Sequence, residues 1–228
     1  MIKSPVYAMM PEYIEHLEKI GENGVTVIPL FPAILACQQL NIDSDEIRKL
    51  KLLDMKPTGV ESSNGCFSSK SLSVLEDHPE FKQYFLDAFE TFNTKIFGHK
   101  NKFTISTSWL TRVDNNGESQ FHNHRNSFYS GIYYFDSLDK DEGGWLQIIN
   151  QGIAQPDLYV GPIREEEITI YNTDSYGIKS ERNLFVLFPS HLMHRVTRYL
   201  GKTSRYSLAM NFVPVPPFGS GDSAIPNW

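Results

Sequence analysis

Two periods divide this chain. Before residue 100, apolar positions recur every three or four residues; from residue 103 they alternate with polar ones. The clearest example of the first kind is "HPEFKQYFLDAFETFNTKIFG", residues 78–98. Phe81, Tyr84, Phe85, Phe89, Phe92 and Ile96 fall at helical spacing and predict one apolar helix face, ended by Gly98. "SDEIRKLKLLD" predicts a shorter helix, with Ser44 as N-cap and Ile47, Leu50 and Leu53 at helical steps. "PEYIEHLEKIG", residues 11–21, reads as another, closed by Gly21. "VTVIPLFPAI" reads as a strand entering the core, and "PTGVESSNGCFSSKS" as a polar loop.

From Phe103 the strand period takes over. "FTISTSWLTRV" alternates, "DNNGES" supplies a turn, and "QFHNHRN" reads as a second short strand. "YSGIYYFD" follows as a strand buried on both sides, then "GGWLQIIN", "EEITIYNT", "NLFVLFP", "LMHRVTRYL" and "SRYSLAMNFVP". A series of short strands separated by turn signals predicts a sandwich, barrel or jelly roll. The expected organisation is a single domain over 1–228. Residues 1–102 form a mostly helical part packing on the core, 103–213 the strand-rich core, and 214–228 an irregular tail rich in Pro and Gly. The segments 113–120 and 150–167 are the expected substrate loops. Gly131 suits a close approach to its strand, and Gly143-Gly144 a tight turn before the next one.

Composition narrows the function. The chain has 228 residues, 40% hydrophobic and 21% charged, which is enough to bury a core. Its net charge of −6 argues against non-specific nucleic-acid binding. The two cysteines, Cys37 and Cys66, lack the spacing of a disulfide framework or zinc knuckle and read as free thiols of a reducing compartment. The N-terminus lacks the unbroken apolar run of a signal peptide. No segment approaches the roughly 20 apolar residues that span a bilayer. A cytoplasmic protein of the producing or host cell is expected.

The chemistry gathers on a few side chains. His122 and His124 are two residues apart beside a core strand; on a strand, such a pair shares one face. Two imidazoles on one face suit Fe, Zn, Cu or Ni, although two polar positions on an exposed face would look the same. A third ligand is sought at His191 or His194, in "VLFPSHLMHRV". His194 follows an apolar strand and a turn at Pro189, at the rim where a jelly roll places its site. Arg205, in "TSRYSLAMNF", shares a strand face with Ser207 and Ala209. It is either a surface arginine on an edge strand or a guanidinium placed to grip a carboxylate in two-pronged fashion.

The order of these motifs resembles the 2-oxoglutarate- and Fe(II)-dependent oxygenases. It runs His-x-His, then "IYYF", "GGWLQI", "LFPSHLMHRV" and "RYSLAMNF". The likeness is closest to the prolyl-hydroxylase-like branch and its small bacterial and phage families, which "PLFPAIL" and "ESSNGCFSSKSL" also resemble. The resemblance implies a double-stranded β-helix, mainly β with flanking helices. It implies His122 and His194 as iron ligands, Arg205 and Tyr134 as partners of the far carboxylate of 2-oxoglutarate, and Ser207 as a helper. Arg112, His191 and Trp145 are candidates for the substrate region. His124 stands where the family usually has a carboxylate. It ligates directly, or Asp114 or Asp136 replaces it, or the site holds metal poorly; close relatives with His-x-His favour direct ligation.

The activity implied is a dioxygenase that hydroxylates a C–H bond with Fe(II), 2-oxoglutarate and O2, releasing succinate and CO2, with ascorbate as reductant. The primary substrate is expected to be a protein or peptide side chain or a small molecule, with neither a membrane nor a nucleic acid as partner. A homodimer through the C-terminal tail fits the same sequence. Two other readings use the same residues. One is a cupin-type metalloprotein with a three-His site and no 2-oxoglutarate, in which Arg205 and Tyr134 share no task. The other is a non-catalytic jelly-roll structural or binding module that needs no metal.

Overall fold

The computed structural model describes residues 19–20, 25–26, 33–42, 44–58, 65–149, 173–219 and 221–225. Contacts divide the chain into units 1–33 and 34–228. In the first unit, β1 (Lys19–Ile20) pairs antiparallel with β2 (Val25–Thr26). The end of the helix expected over 11–21 is therefore extended. The "GENG" between the two strands carries the residues of a turn, which outweigh the helical pattern before it. Residues 11–18 and 27–32, with the rest of the expected helix and strand, lie outside the described residues.

The second unit begins with β3 (Ala36–Gln39) and α1 (Ser44–Arg48), which tightens into a 3-10 turn over Lys49–Leu52. β4 (Met55–Pro57) and β5 (Cys66–Ser69) follow. β5 occupies ground expected to be a polar loop. β5 is polar because it borders a sheet through its backbone: it pairs with the next long strand, and Ser69 Oγ accepts the Leu110 N–H at 3.0 Å. α2 (Pro79–Phe92) starts at a proline and passes into a π turn over Asn93–Phe97, closed by Gly98 at φ 66°. Phe81, Phe85, Phe89 and Phe92 are buried, but Tyr84 is 49% and Ile96 46% exposed. Tyr84 sits at the edge of the apolar stripe, and the wider π turn carries Ile96 off it.

The strand-rich core comprises β6 (Phe103–Val113), β7 (Tyr129–Tyr134), β8 (Leu146–Ile149), β9 (Ser175–Ile178), β10 (Leu184–Pro189), β11 (His194–Val196) and β12 (Arg205–Pro214). The strands form a seven-stranded sheet, β3-β10-β7-β12-β6-β5-β4, and a three-stranded one, β11-β8-β9. All pairings are antiparallel. This is the double-stranded β-helix expected from the sequence. The strand expected at "EEITIYNT" falls outside the described residues except for Thr173, and β9 pairs with β8 instead. "QFHNHRN" forms one isolated bridge, His122 with His194, rather than a strand.

Alternation along β12 sorts the two faces as expected. Leu208, Met210 and Phe212 turn outward and pack under α2, where the Phe89 and Phe212 rings stack 4.5 Å apart. The opposite face of the large sheet looks onto the small sheet, where Tyr134, Val186 and Phe188 meet Leu146, Ile148 and Ile178. Gly131 lies where two rings cross: a Cβ there would stand 2.7 Å from Phe185 Cε2 and 3.0 Å from Phe212 Cε2. Gly131→Ala gains about 0.4–1 kcal/mol by restricting the unfolded chain but costs about 1–3 kcal/mol by overpacking. Net destabilisation is therefore expected, read as a lower urea midpoint at an unchanged slope. No described helix is long and apolar enough to cross a membrane.

Candidate metal centre and cosubstrate cavity

Three chain segments meet at one end of the barrel. β11 carries His194, and the segment 117–124 runs antiparallel beside it. Their backbones exchange His122 N–H to His194 O and His194 N–H to His122 O, both at 2.9 Å. The Ser119 N–H reaches Val196 O at 3.1 Å. After His122 the segment turns, and the His124 N–H is held by Ser190 O at 2.9 Å, at the end of β10. One nitrogen from each of His122, His124 and His194 lies within 4.8 Å of the others.

The backbone also sets the tautomers. A carbonyl oxygen only accepts, so His122 Nδ1 donates to Gln120 O at 2.8 Å and His194 Nδ1 donates to Leu192 O at 2.9 Å. The Nε2 lone pairs of both rings are therefore free for a cation, the arrangement metal-binding imidazoles adopt. Burial, and then the neighbouring His122, hold His194 down at about 3 and His124 at about 4. Both rings stay neutral at pH 7, ready to coordinate. The donor set fits a divalent transition metal that accepts imidazole. Asp114 is engaged with Arg112 and Ser204, and Asp136 with Arg48 and Lys51. Neither belongs to the histidine cluster.

The cluster opens into a cavity of about 290 Å³ lined mainly by apolar groups. Its wall follows the inward face of β12: Arg205, Ser207, Ala209 and Asn211 all line it, opposite Val113, Thr111, Trp109 and Thr107 of β6. Arg205 is 2% exposed. Its Nη1 donates to Ser207 Oγ at 3.3 Å, while Nε has no hydrogen-bond partner. The guanidinium lies 5.2 Å from the ring centroid of Tyr134, whose hydroxyl is also buried without a partner of ordinary geometry. Burial pushes Tyr134 up to about 12, against a smaller downward pull from Arg205, so the hydroxyl keeps its proton. Among the described residues no carboxylate pairs with Arg205. Gly144, at φ 67°, makes room for the guanidinium stem: a Cβ there would stand 3.1 Å from Arg205 Cδ.

The remaining expected residues sit elsewhere. Arg112 is 3.1 Å from Asp114 and lies over the Phe67 ring at 4.1 Å. His191 is exposed and offers its carbonyl to Asn123. Trp145 packs against Gly177, with its Nε1 buried and unpartnered. None of the three lines the cavity. The segment 150–167 lies outside the described residues. Reading the sequence missed Trp109, whose ring centroid is 5.4 Å from that of His124. It also missed Asn211, which donates to Thr107 Oγ1 at 3.0 Å and accepts from Ser130 Oγ at 3.1 Å. The alternation Arg205, Ser207, Ala209 carried one step further would have found Asn211. Trp109 becomes visible only once β6 is registered against β12.

Residues 107–211 match the family model described as "Putative 2OG-Fe(II) oxygenase". Three solved structures share the architecture. HygX from Streptomyces hygroscopicus, with nickel, 2-oxoglutarate and hygromycin B bound, has a TM-score of 0.57 at 11% identity, covering 80% of this chain and 83% of its own. A Pseudomonas putida prolyl-4-hydroxylase has a TM-score of 0.55 at 14% identity, covering 78% and 92%. A prolyl hydroxylase from Trichoplax adhaerens, in complex with a hypoxia inducible factor oxygen degradation domain peptide fragment, has a TM-score of 0.53 at 13% identity, covering 78% and 83%. At these identities the likeness is one of fold. No curated protein matches the chain. The matched segment holds all three clustered histidines, Tyr134 and Arg205, and through that core the chain is similar to the 2OG-Fe(II) oxygenase family.

Proposed function

We propose that this protein is a non-haem Fe(II)- and 2-oxoglutarate-dependent dioxygenase that hydroxylates a C–H bond of a protein, peptide or small-molecule substrate. The observation that carries this reading is the state of Arg205. A buried guanidinium with no acidic partner among the described residues costs stability, and a buried tyrosine hydroxyl without a partner adds to that cost. Arg205 lines the cavity that also holds three metal-competent imidazoles, and the Tyr134 ring lies 5.2 Å from its guanidinium. The far carboxylate of 2-oxoglutarate would satisfy both groups at once.

His122, His124 and His194 hold the iron. Arg205 and Tyr134, with Ser207 behind the guanidinium, fix the cosubstrate. Apolar walls such as Ile132, Leu146 and Phe188 keep water from the reacting centre. Iron bound there supplies the chemistry by which one O2 is divided, one atom passing to succinate with loss of CO2 and one to the substrate carbon. Ascorbate serves as reductant. The neighbouring structures hold hygromycin B in one case and a peptide fragment in another, so the shared fold does not choose the substrate. The prolyl-hydroxylase likeness makes a peptide side chain the first choice.

The test has two steps. The protein loaded with Ni(II), which is silent towards O2, is titrated calorimetrically with 2-oxoglutarate; saturable binding that requires the metal is expected. The iron enzyme is then screened in air against peptide and metabolite pools. The expected product has gained one oxygen atom, with one succinate released per product. Metal bound without any 2-oxoglutarate affinity would instead support the cupin-type reading.

A further inference from the structure

The charges on the cavity wall do not balance. The chain as a whole carries −6, yet among the described residues the cavity is lined by two arginines, Arg195 and Arg205, and by no carboxylate. Two acids weighed as ligands are spent elsewhere: Asp114 on Arg112 and Ser204, Asp136 on Arg48 and Lys51. Arg195 is held without neutralisation. Its Nε donates to Gln147 Oε1 at 2.8 Å, Gln147 in turn donates to Ser175 Oγ at 3.0 Å, and the guanidinium lies 4.5 Å from the ring centroid of Phe121. Among the described residues no acid pairs with it.

The positive wall has an ordinary explanation in 2-oxoglutarate itself, and counting charges decides how far that explanation goes. This count rests on the function proposed above. Divalent iron brings two positive charges and the two arginines one each; imidazoles that ligate a metal do so in the neutral form and add none. The 2-oxoglutarate dianion cancels two of the four. A carboxylate among the iron ligands would cancel a third, but His124 occupies that place. Unscreened charge in an apolar cavity is costly, because the effective dielectric is low. The balance is restored when another reactant brings negative charge.

We propose that the primary substrate carries an anionic group, a carboxylate or a phosphate, and that the cavity selects for it through the positive charge that the three-His site and Arg195 leave uncancelled. A neutral analogue of the same shape leaves that charge unpaired and is rejected on those grounds.

Azide and inorganic phosphate serve as probes before the substrate is known. Each is titrated anaerobically into protein saturated with Fe(II) and 2-oxoglutarate, followed by calorimetry and by the visible band of the iron–2-oxoglutarate chelate. Saturable binding of at least one anion is expected. Asn211→Asp places a carboxylate on the cavity wall without touching a histidine and should weaken that binding by about tenfold or more, whereas neutral Asn211→Ala should not. Binding of azide alone, shifting the band, places the excess charge at the metal. Binding of phosphate alone, lost in Arg195→Gln with 2-oxoglutarate affinity unchanged, places it at Arg195. Should Asn211→Asp fail to fold, the Arg195→Gln comparison and the two wild-type titrations still decide. If the chelate band forms but neither anion binds, or if binding is equal in Asn211→Asp, the inference is overturned while the oxygenase reading stands. If no chelate band forms, the oxygenase reading itself fails.

Discussion

Replacing His194 by alanine is expected to lower Fe(II) affinity by more than about 100-fold, the upper range seen when even an outer-shell partner of a ligand is removed. His194 is the most enclosed of the three imidazoles, 4% exposed, and the most firmly aimed. Its backbone is bridged on both sides to His122, its Nδ1 is committed to Leu192 O, and Phe188 packs against its ring at 4.8 Å. Among the described residues no fourth ligand joins the cluster to replace it. His122 is exposed and His124 half-buried, so water can fill in for either more readily. Equilibrium dialysis against Fe(II), read by a colorimetric chelator, gives the comparison. The predicted order of loss is largest for His194→Ala.

The second large effect concerns Arg205, where function and stability are expected to move in opposite directions. Truncating one partner of a buried, hydrogen-bonded charge pair costs about 2–5 kcal/mol, or roughly 30- to 5,000-fold in affinity. Arg205→Met should therefore lose 2-oxoglutarate binding by about that factor while Fe(II) binding persists. In the absence of 2-oxoglutarate, however, the native guanidinium is buried beside the Tyr134 ring, with Ser207 Oγ as its one hydrogen-bond partner among the described residues. Exchanging it for an apolar side chain of similar length should leave the melting temperature unchanged or raise it by a few degrees. A residue kept for packing would show the reverse, losing stability and sparing the ligand. Arg205→Lys retains the charge but not the planar fork, and should recover only part of the affinity.

Much of this architecture was legible because one element enforces the next. β6 and β12 alternate over most of their length, which marks them as strands and sets Arg205 and Ser207 on one face, although their register, Arg205 with Val113 and Ser207 with Thr111, emerges only from the fold. α2 announces itself through four phenylalanines on one stripe. The failures have specific causes. β5 is polar because its stability comes from pairing with β6, and hydropathy does not record backbone pairing. The "QFHNHRN" segment alternates like a strand but keeps only one bridge, since it must turn after His122 to bring His124 under Ser190. The three histidines and Arg205 could be named from residue type and order. What the sequence left open was which neighbours are already engaged. Asp114 and Asp136 looked available as ligands and are tied to basic residues, and Arg205, a surface arginine on one reading, is buried with no acid paired to it among the described residues.

The central claim is that one cavity holds iron and 2-oxoglutarate together. It is tested most directly by adding Fe(II) and then 2-oxoglutarate to the purified protein under anaerobic conditions and recording the visible spectrum. A weak charge-transfer band that saturates with 2-oxoglutarate, disappears in His194→Ala and weakens in Arg205→Met is the predicted result. Iron that binds tightly while the spectrum stays silent at every 2-oxoglutarate concentration would contradict it.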